Sequence, residues 1–189
     1  MKNLIRQIND CNICASYLEH GIRPIIQVSE QAKILIVGQA PGRKVHETGI
    51  PWDDPSGNQL RKWLGVDKTI FYNESKIALV PMGFCYPGKG KTGDLPPRKE
   101  CAPQWHKMLL DSMNKIELTL LVGQYAQQYY LQENIKSNLT QTVQAYKEYL
   151  PNMLPLPHPS PRNRFWLTKN PWFEKEVIPY LQNVVNKHI

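Results

Sequence analysis

Four short runs along the chain are apolar at almost every position. They cover residues 33–38, 76–80, 117–122 and 153–156, and each is bounded by Gly, Pro or charge. Runs of this length predict strands buried on both faces. Between them the apolar positions change to helical spacing. Residues 3–9 predict a short helix. Leu60, Trp63 and Leu64 share one face of a helix that Ser56 opens as N-cap and Gly65 stops. Trp105, Met108, Leu109 and Met113 mark a helix within 98–116, and Gly123 turns into another that reaches Leu131. Further helices are expected over 140–150 and from Pro171 to Lys187, the last broken or kinked at Pro179. Strands alternating with helices predict an α/β fold of three layers, with a central four-stranded parallel sheet between helices.

Composition narrows the class. A chain of 189 residues, 41% hydrophobic and 21% charged, fits a single domain spanning 1–189 with a sizeable core. No apolar run approaches the ~20 residues of a membrane span. The first residues lack the apolar stretch of a signal peptide, so a cytoplasmic protein is expected. The net charge of +7 favours an anionic partner, nucleic acid first. Nothing calls for a second copy, and a monomer is expected. Sixteen prolines cluster at 81–103, 151–161 and 171–179. Proline fixes φ and cannot continue a helix or a central strand, so these clusters read as shaped loops.

Two of the strands run straight into such loops. The first is followed by Gly38-Gln39-Ala40-Pro41-Gly42, the fourth by His158-Pro159-Ser160-Pro161-Arg162-Asn163. In open α/β sheets, ligands bind beyond the carboxyl ends of strands. One loop offers backbone amides and the other a histidine held between two prolines. Together they can form one site. The stretch from Tyr86 to Gly93 is rich in Gly and Lys but lacks the G-x4-G-K-[ST] spacing of a nucleotide-triphosphate loop. Gly88 to Lys91 is expected to lie along a nucleic-acid backbone or to solubilise its own loop.

The four cysteines are Cys11, Cys14, Cys85 and Cys101. A cytoplasmic chain does not keep them as disulfides. The C-x2-C spacing of the first pair has the bite for one metal centre. The second pair brackets the Gly/Pro-rich loop. Four thiolates suit zinc or an iron–sulfur cluster, and spacing does not separate the two. The plain alternative is four unrelated buried cysteines.

These residues, in this order, resemble the uracil-DNA glycosylase superfamily, and most its iron–sulfur branch. That branch joins C-x2-C, a G-E-A-P-G first motif, two mid-chain cysteines and an H-P second motif. The match runs from Cys11 to Asn163. The resemblance implies a [4Fe–4S] cluster on Cys11, Cys14, Cys85 and Cys101, mainly structural, and DNA carrying a damaged base as partner. The second motif is more similar to that of the single-strand-selective branch. Gln39 stands where the iron–sulfur branch has glutamate, and Trp52 where the superfamily has a phenylalanine that stacks on the base. Pro81 replaces the asparagine that reads the uracil edge. Ala40 occupies the place of a water-orienting aspartate found in related families.

On this basis the expected activity is monofunctional base excision: uracil first, hypoxanthine or xanthine next. His158 is expected to donate to the charge that develops on the leaving base. Gln39, or the backbone near Ala40, would hold the water. Gly38, Pro41 and Gly42 would shape the pocket, and Trp52 would supply a stacking face. Ser160 would bond a phosphate, with Pro161, Arg162 and Asn163 on a stiff loop suited to wedging into DNA. His46, Glu47, Asp53 and Asp54 are the nearest ionisable groups to the first motif and read as solvated loop charges. No lysine lies within either motif to form a Schiff base. The rival readings are a DNA-binding protein without catalysis and a redox sensor on the same scaffold.

Overall fold

The computed structural model describes all 189 residues. In chain order the elements are α1 (Lys2–Asn9), β1 (Ile34–Val37), α2 (Arg43–Thr48), α3 (Pro55–Leu64), α4 (Lys68–Phe71), β2 (Ile77–Leu79), α5 (Cys101–Ser112), β3 (Leu118–Val122), α6 (Gln124–Leu131), α7 (Leu139–Gln144), β4 (Met153–Leu156), α8 (Arg164–Lys169) and α9 (Ile178–His188). The strands form one parallel sheet in the order β2-β1-β3-β4. Ile34 of β1 sits level with Ile77 on one side and Leu118 on the other, and Thr119 of β3 pairs with Met153 of β4.

Side chains alternate across a strand, and here both faces are covered. Ile34, Ile36, Ile77, Leu79, Leu120 and Leu156 pack under Leu60 and Leu64 of α3, Val143 of α7 and Leu181 of α9. Leu35, Val37, Ala78 and Leu121 point the other way, onto Ile8 of α1, Trp105 and Leu109 of α5 and Leu131 of α6. This is the expected three-layer arrangement, and it explains why the strands read as almost wholly apolar runs, with Thr119 the one polar residue among them. Each fully buried Leu or Ile contributes roughly 1.5–3 kcal/mol relative to exposure.

Both sheet edges are managed. Pro155 lies inside β4, where the missing N–H is tolerated because β4 pairs on one side only. The outer edge of β2 is closed by an antiparallel bridge, with Gln27 and Leu79 exchanging both N–H···O bonds at 3.0 and 2.7 Å. The Gln27 side chain adds a bond to the Ile77 carbonyl at 2.8 Å.

Several sequence-based boundaries are corrected. The N-cap of α3 is Asp54, not Ser56. The Asp54 carboxylate accepts the Gly57 N–H, and Pro55 fills the first turn, where its missing N–H costs nothing. Gly65 stops the helix as expected, at φ 68°. The helix predicted over 98–116 spans only Cys101–Ser112, with Glu100 at its N-cap and Met113 leaving helical backbone at its C-cap. That predicted over 140–150 ends at Gln144 and continues as a 3-10 turn over Tyr146–Tyr149. Pro179 does not break α9 but lies in its first turn. A π-helical turn over Phe173–Val177 precedes it and widens the backbone where the proline ring would strike a carbonyl one turn back. The short helices α2, α4 and α8 have too few apolar positions to register as a period.

Candidate active site

With β1 flanked by β2 and β3, the chain leaves the sheet in opposite directions after β1 and β3. A crevice opens at this switch point. It is a cleft of about 480 Å³, lined by the first motif, Trp52, Asp54, Pro81, the segment Thr92–Leu95 and the second motif. The structure thus brings together Gly38, Gln39, Ala40, Pro41, Gly42, Trp52, His158, Ser160, Arg162 and Asn163. Pro161 is exposed beside them, at the start of a 3-10 turn.

The first motif continues the sheet by one rung. Met82 and Gly83 donate their N–H groups to the carbonyls of Gly38 and Gln39, at 2.9 and 3.0 Å. The N–H groups of Gln39 and Ala40 have no partner within the protein, and both residues line the cleft. The Gln39 amide is likewise free to meet a ligand.

Trp52 is held by backbone that few residues tolerate. Its φ is +58°, in the left-handed region. The indole lies on Gly38, where a Cβ would approach it to 2.7 Å. Its carbonyl lies so close to Gly57 that a Cβ there would be 1.8 Å away. Arg61, missed in the sequence, secures this turn. Its buried guanidinium bonds the Trp52 carbonyl at 3.4 Å, the Tyr72 hydroxyl oxygen at 3.3 Å and Asn58 Oδ1 at 2.6 Å. Tyr72 in turn donates to the Pro51 carbonyl at 3.0 Å.

His158 stacks on Trp52 with ring centroids 5.8 Å apart and planes 29° from parallel. Gly123, at φ 86°, lets the ring approach the turn after β3: a Cβ there would lie 3.6 Å from the imidazole. Asn163 Nδ2 donates to the His158 carbonyl at 2.7 Å and fixes the backbone. Neither ring nitrogen bonds another protein group. Burial lowers the imidazole pKa, and the Asp54 carboxylate opposes this in part. The ring is therefore neutral near pH 7, with one N–H donor and one acceptor for a ligand.

Arg162 reaches across the cleft and donates to the Thr92 carbonyl at 2.6 Å. Ser160 Oγ accepts the Arg162 N–H at 3.3 Å and shapes the turn. Among the ionisable groups near the first motif, Glu47 is exposed and paired with Arg43 at 2.9 Å. His46 packs at a tilt against Tyr86, with ring planes 44° apart, and Asp54 alone faces the cleft. Sequence reasoning also missed Asp94, which lines the cleft from the Gly/Pro-rich loop, and Phe165, 83% exposed on α8 beside Arg162 and Arg164.

Pro81 lines the cleft without a side-chain donor or acceptor, and its carbonyl is engaged from behind. His106 Nε2 lies 3.1 Å from that oxygen, and its Nδ1 lies 2.7 Å from the Tyr130 hydroxyl. Burial pushes the His106 pKa down to about 4. The ring is neutral, so Nε2–H donates to Pro81 and Nδ1 accepts from Tyr130.

The four cysteines line one separate pocket of about 30 Å³, between α1, the start of the irregular loop and α5. The Phe84 N–H points at Cys101 Sγ at 3.4 Å. An all-thiol donor set suits an iron–sulfur cluster or zinc. No group of three or more His, Cys, Asp or Glu side chains stands in ready metal-binding geometry. All four cysteines line this one pocket.

The sequence profile of the uracil DNA glycosylase superfamily matches residues 25–182. The chain belongs to that superfamily. A solution NMR structure from Methanosarcina acetivorans, provisionally named a uracil DNA glycosylase, superposes with a TM-score of 0.51 at 16% identity. The alignment covers 86% of this chain and 97% of that one. At this identity the likeness supports the fold alone. Within the superfamily fold, the cleft at the switch point is where both sequence motifs meet. No helix is long and apolar enough to cross a membrane.

Proposed function

We propose that this protein is a monofunctional DNA glycosylase that hydrolyses the N-glycosidic bond of a deaminated base, acting as a cytoplasmic monomer. Uracil is the first substrate, with hypoxanthine and xanthine next. One observation carries the reading: a neutral His158 with both ring nitrogens free, stacked on Trp52 above the first-motif backbone, in one cleft.

A base inside a duplex must be flipped out, at a cost of a few kcal/mol. Exposed Arg43, Lys44, Lys89, Lys91 and Arg164 supply cations for the phosphates. Trp52 offers a stacking face to the extruded base. As the glycosidic bond lengthens, negative charge grows on the base, and the N–H of neutral His158 is the donor for it. The bound base is neutral in the ground state, so this hydrogen bond strengthens only as charge develops in the transition state. The N–H groups of Gln39 and Ala40, with the Gln39 amide, orient the water that meets the sugar.

Cys11, Cys14, Cys85 and Cys101 would hold the [4Fe–4S] cluster, or zinc, as a structural cross-link. Their shared pocket and all-thiol chemistry support this.

A second reading has its own observation. Pro81 offers the base no side-chain group, and His106 holds its carbonyl from behind. This favours a protein that binds DNA without excision. Base release from labelled DNA carrying uracil, hypoxanthine or xanthine, single- and double-stranded, separates the two. Release that falls about a hundredfold or more in His158→Ala supports the enzyme. DNA binding with no release of any of the three bases supports the binding protein.

A further inference from the structure

Hydrolysis needs a group to take a proton from the attacking water, and the first motif offers none, since Ala40 has no acid. Two carboxylates line the cleft, Asp54 and Asp94. Asp54 is committed to structure: its Oδ1 caps α3 by accepting the Gly57 N–H at 2.7 Å, and its charge acts on His158, on the leaving-base side. We propose that Asp94 takes the proton of the attacking water, an inference that rests on the glycosylase reading above.

Asp94 is distant from both motifs in sequence but is fastened between them. It sits in a hairpin closed by Leu95 N–H to Gly88 O at 2.9 Å and Gly90 N–H to Gly93 O at 2.6 Å. Arg162 of the second motif grips this hairpin through the Thr92 carbonyl at 2.6 Å. The Asp94 carboxylate lies on the end of the first motif: a Cβ on Gly42 would be 3.2 Å from Oδ2. That close approach uses the one residue type without a side chain. Oδ1 accepts from the Tyr86 hydroxyl at 3.4 Å. Tyr86 is buried and stacks on His20 with centroids 5.1 Å apart, so it is a fixed positioning residue. No cationic side chain pairs with Asp94, which leaves Oδ2 available as a base.

The step balances without any co-reactant. The C1′–N bond breaks, and its electron pair leaves on the base nitrogen beside His158. The water oxygen bonds to C1′. Its proton passes to Asp94 and then to the departing base. The products are the free base and a sugar bearing a 1′-hydroxyl.

Single-turnover release from uracil-containing DNA tests the assignment, with DNA affinity and melting temperature measured in parallel. Asp94→Asn is expected to slow release by about a hundredfold or more, with affinity and melting temperature unchanged. Asp94→Ala is expected to regain rate in proportion to added formate, a rescue that a merely structural aspartate does not show. Tyr86→Phe is expected to lower kcat several-fold with KM unchanged. Release by Asp94→Asn within about threefold of native, too little for a general base, overturns the assignment. So does a slow Asp94→Ala that formate does not rescue. Native protein that releases no base overturns the glycosylase reading and this assignment together. Native release with Asp94→Asn unaffected overturns Asp94 alone.

Discussion

At the residue scale the cleft depends on groups that a sequence shows poorly. His158 was legible because it stands between two prolines at the end of an apolar run. Trp52 was legible through the resemblance, at the place of the superfamily's stacking phenylalanine, but its left-handed backbone was not. His106 gave no signal, since a histidine on a helical face looks like any other polar residue. Yet it is 1% exposed and spans Pro81 and Tyr130. Its folded pKa of about 4 lies below the ordinary 6.5. As pH falls through 6.5 the unfolded chain takes up a proton that the folded chain refuses. Stability is therefore fully present above about 6.5, is lost between 6.5 and 4, and levels off below the folded pKa. The expected loss from this residue is about 3 kcal/mol. Melting temperatures across that window should fall more steeply for native protein than for His106→Gln. Parallel curves for the two proteins would mean that His106 is not buried in neutral form.

At the element scale the four strands were the most legible part of the fold, though not their order in the sheet. Strands buried on both faces carry few polar residues, here only Thr119 of β3, so β1 to β4 stand out as apolar runs. The ends of helices were less clear. Asp54 and Ser56 are both good caps by type, and the choice between them is made by the tight turn at Trp52. In that turn the Gly57 N–H reaches the Asp54 carboxylate at 2.7 Å while Gly57 Cα closes on the Trp52 carbonyl. A methyl at position 57 has no room. Gly57→Ala is expected to cost about 1–3 kcal/mol by forcing the turn open, and to weaken base release by moving Trp52 off Gly38. Urea unfolding measures the first and single-turnover assays the second. An alanine variant as stable as native would show that the turn gives way easily. Asp54→Ala should cost less, about 1 kcal/mol, because it removes only a cap.

At the scale of the whole molecule, one loop links the cysteine pocket to the cleft. Cys85 and Cys101 bound the irregular segment, and the hairpin that carries Asp94 lies between them. The sequence showed four thiols but not this linkage. It arises from backbone bonds within Gly88–Leu95 and from the Arg162 contact, which have no periodicity to read. If one metal centre joins Cys11, Cys14, Cys85 and Cys101, it ties the end of α1 and the start of α5 to both ends of that loop. Metal binding then contributes directly to folding. Elemental analysis should find iron with inorganic sulfide, or zinc, in protein purified without air. Cys85→Ser should lose that metal and melt several degrees lower. It should also release base more slowly than native, although no cysteine touches the cleft, because the hairpin holding Asp94 would lose its anchor. Chelation of the native protein should reproduce the same pair of effects. Native protein free of iron, sulfide and zinc, with Cys85→Ser melting at the native temperature, would reduce the four thiols to ordinary buried side chains. The hairpin would then be held by Arg162 and its own backbone alone.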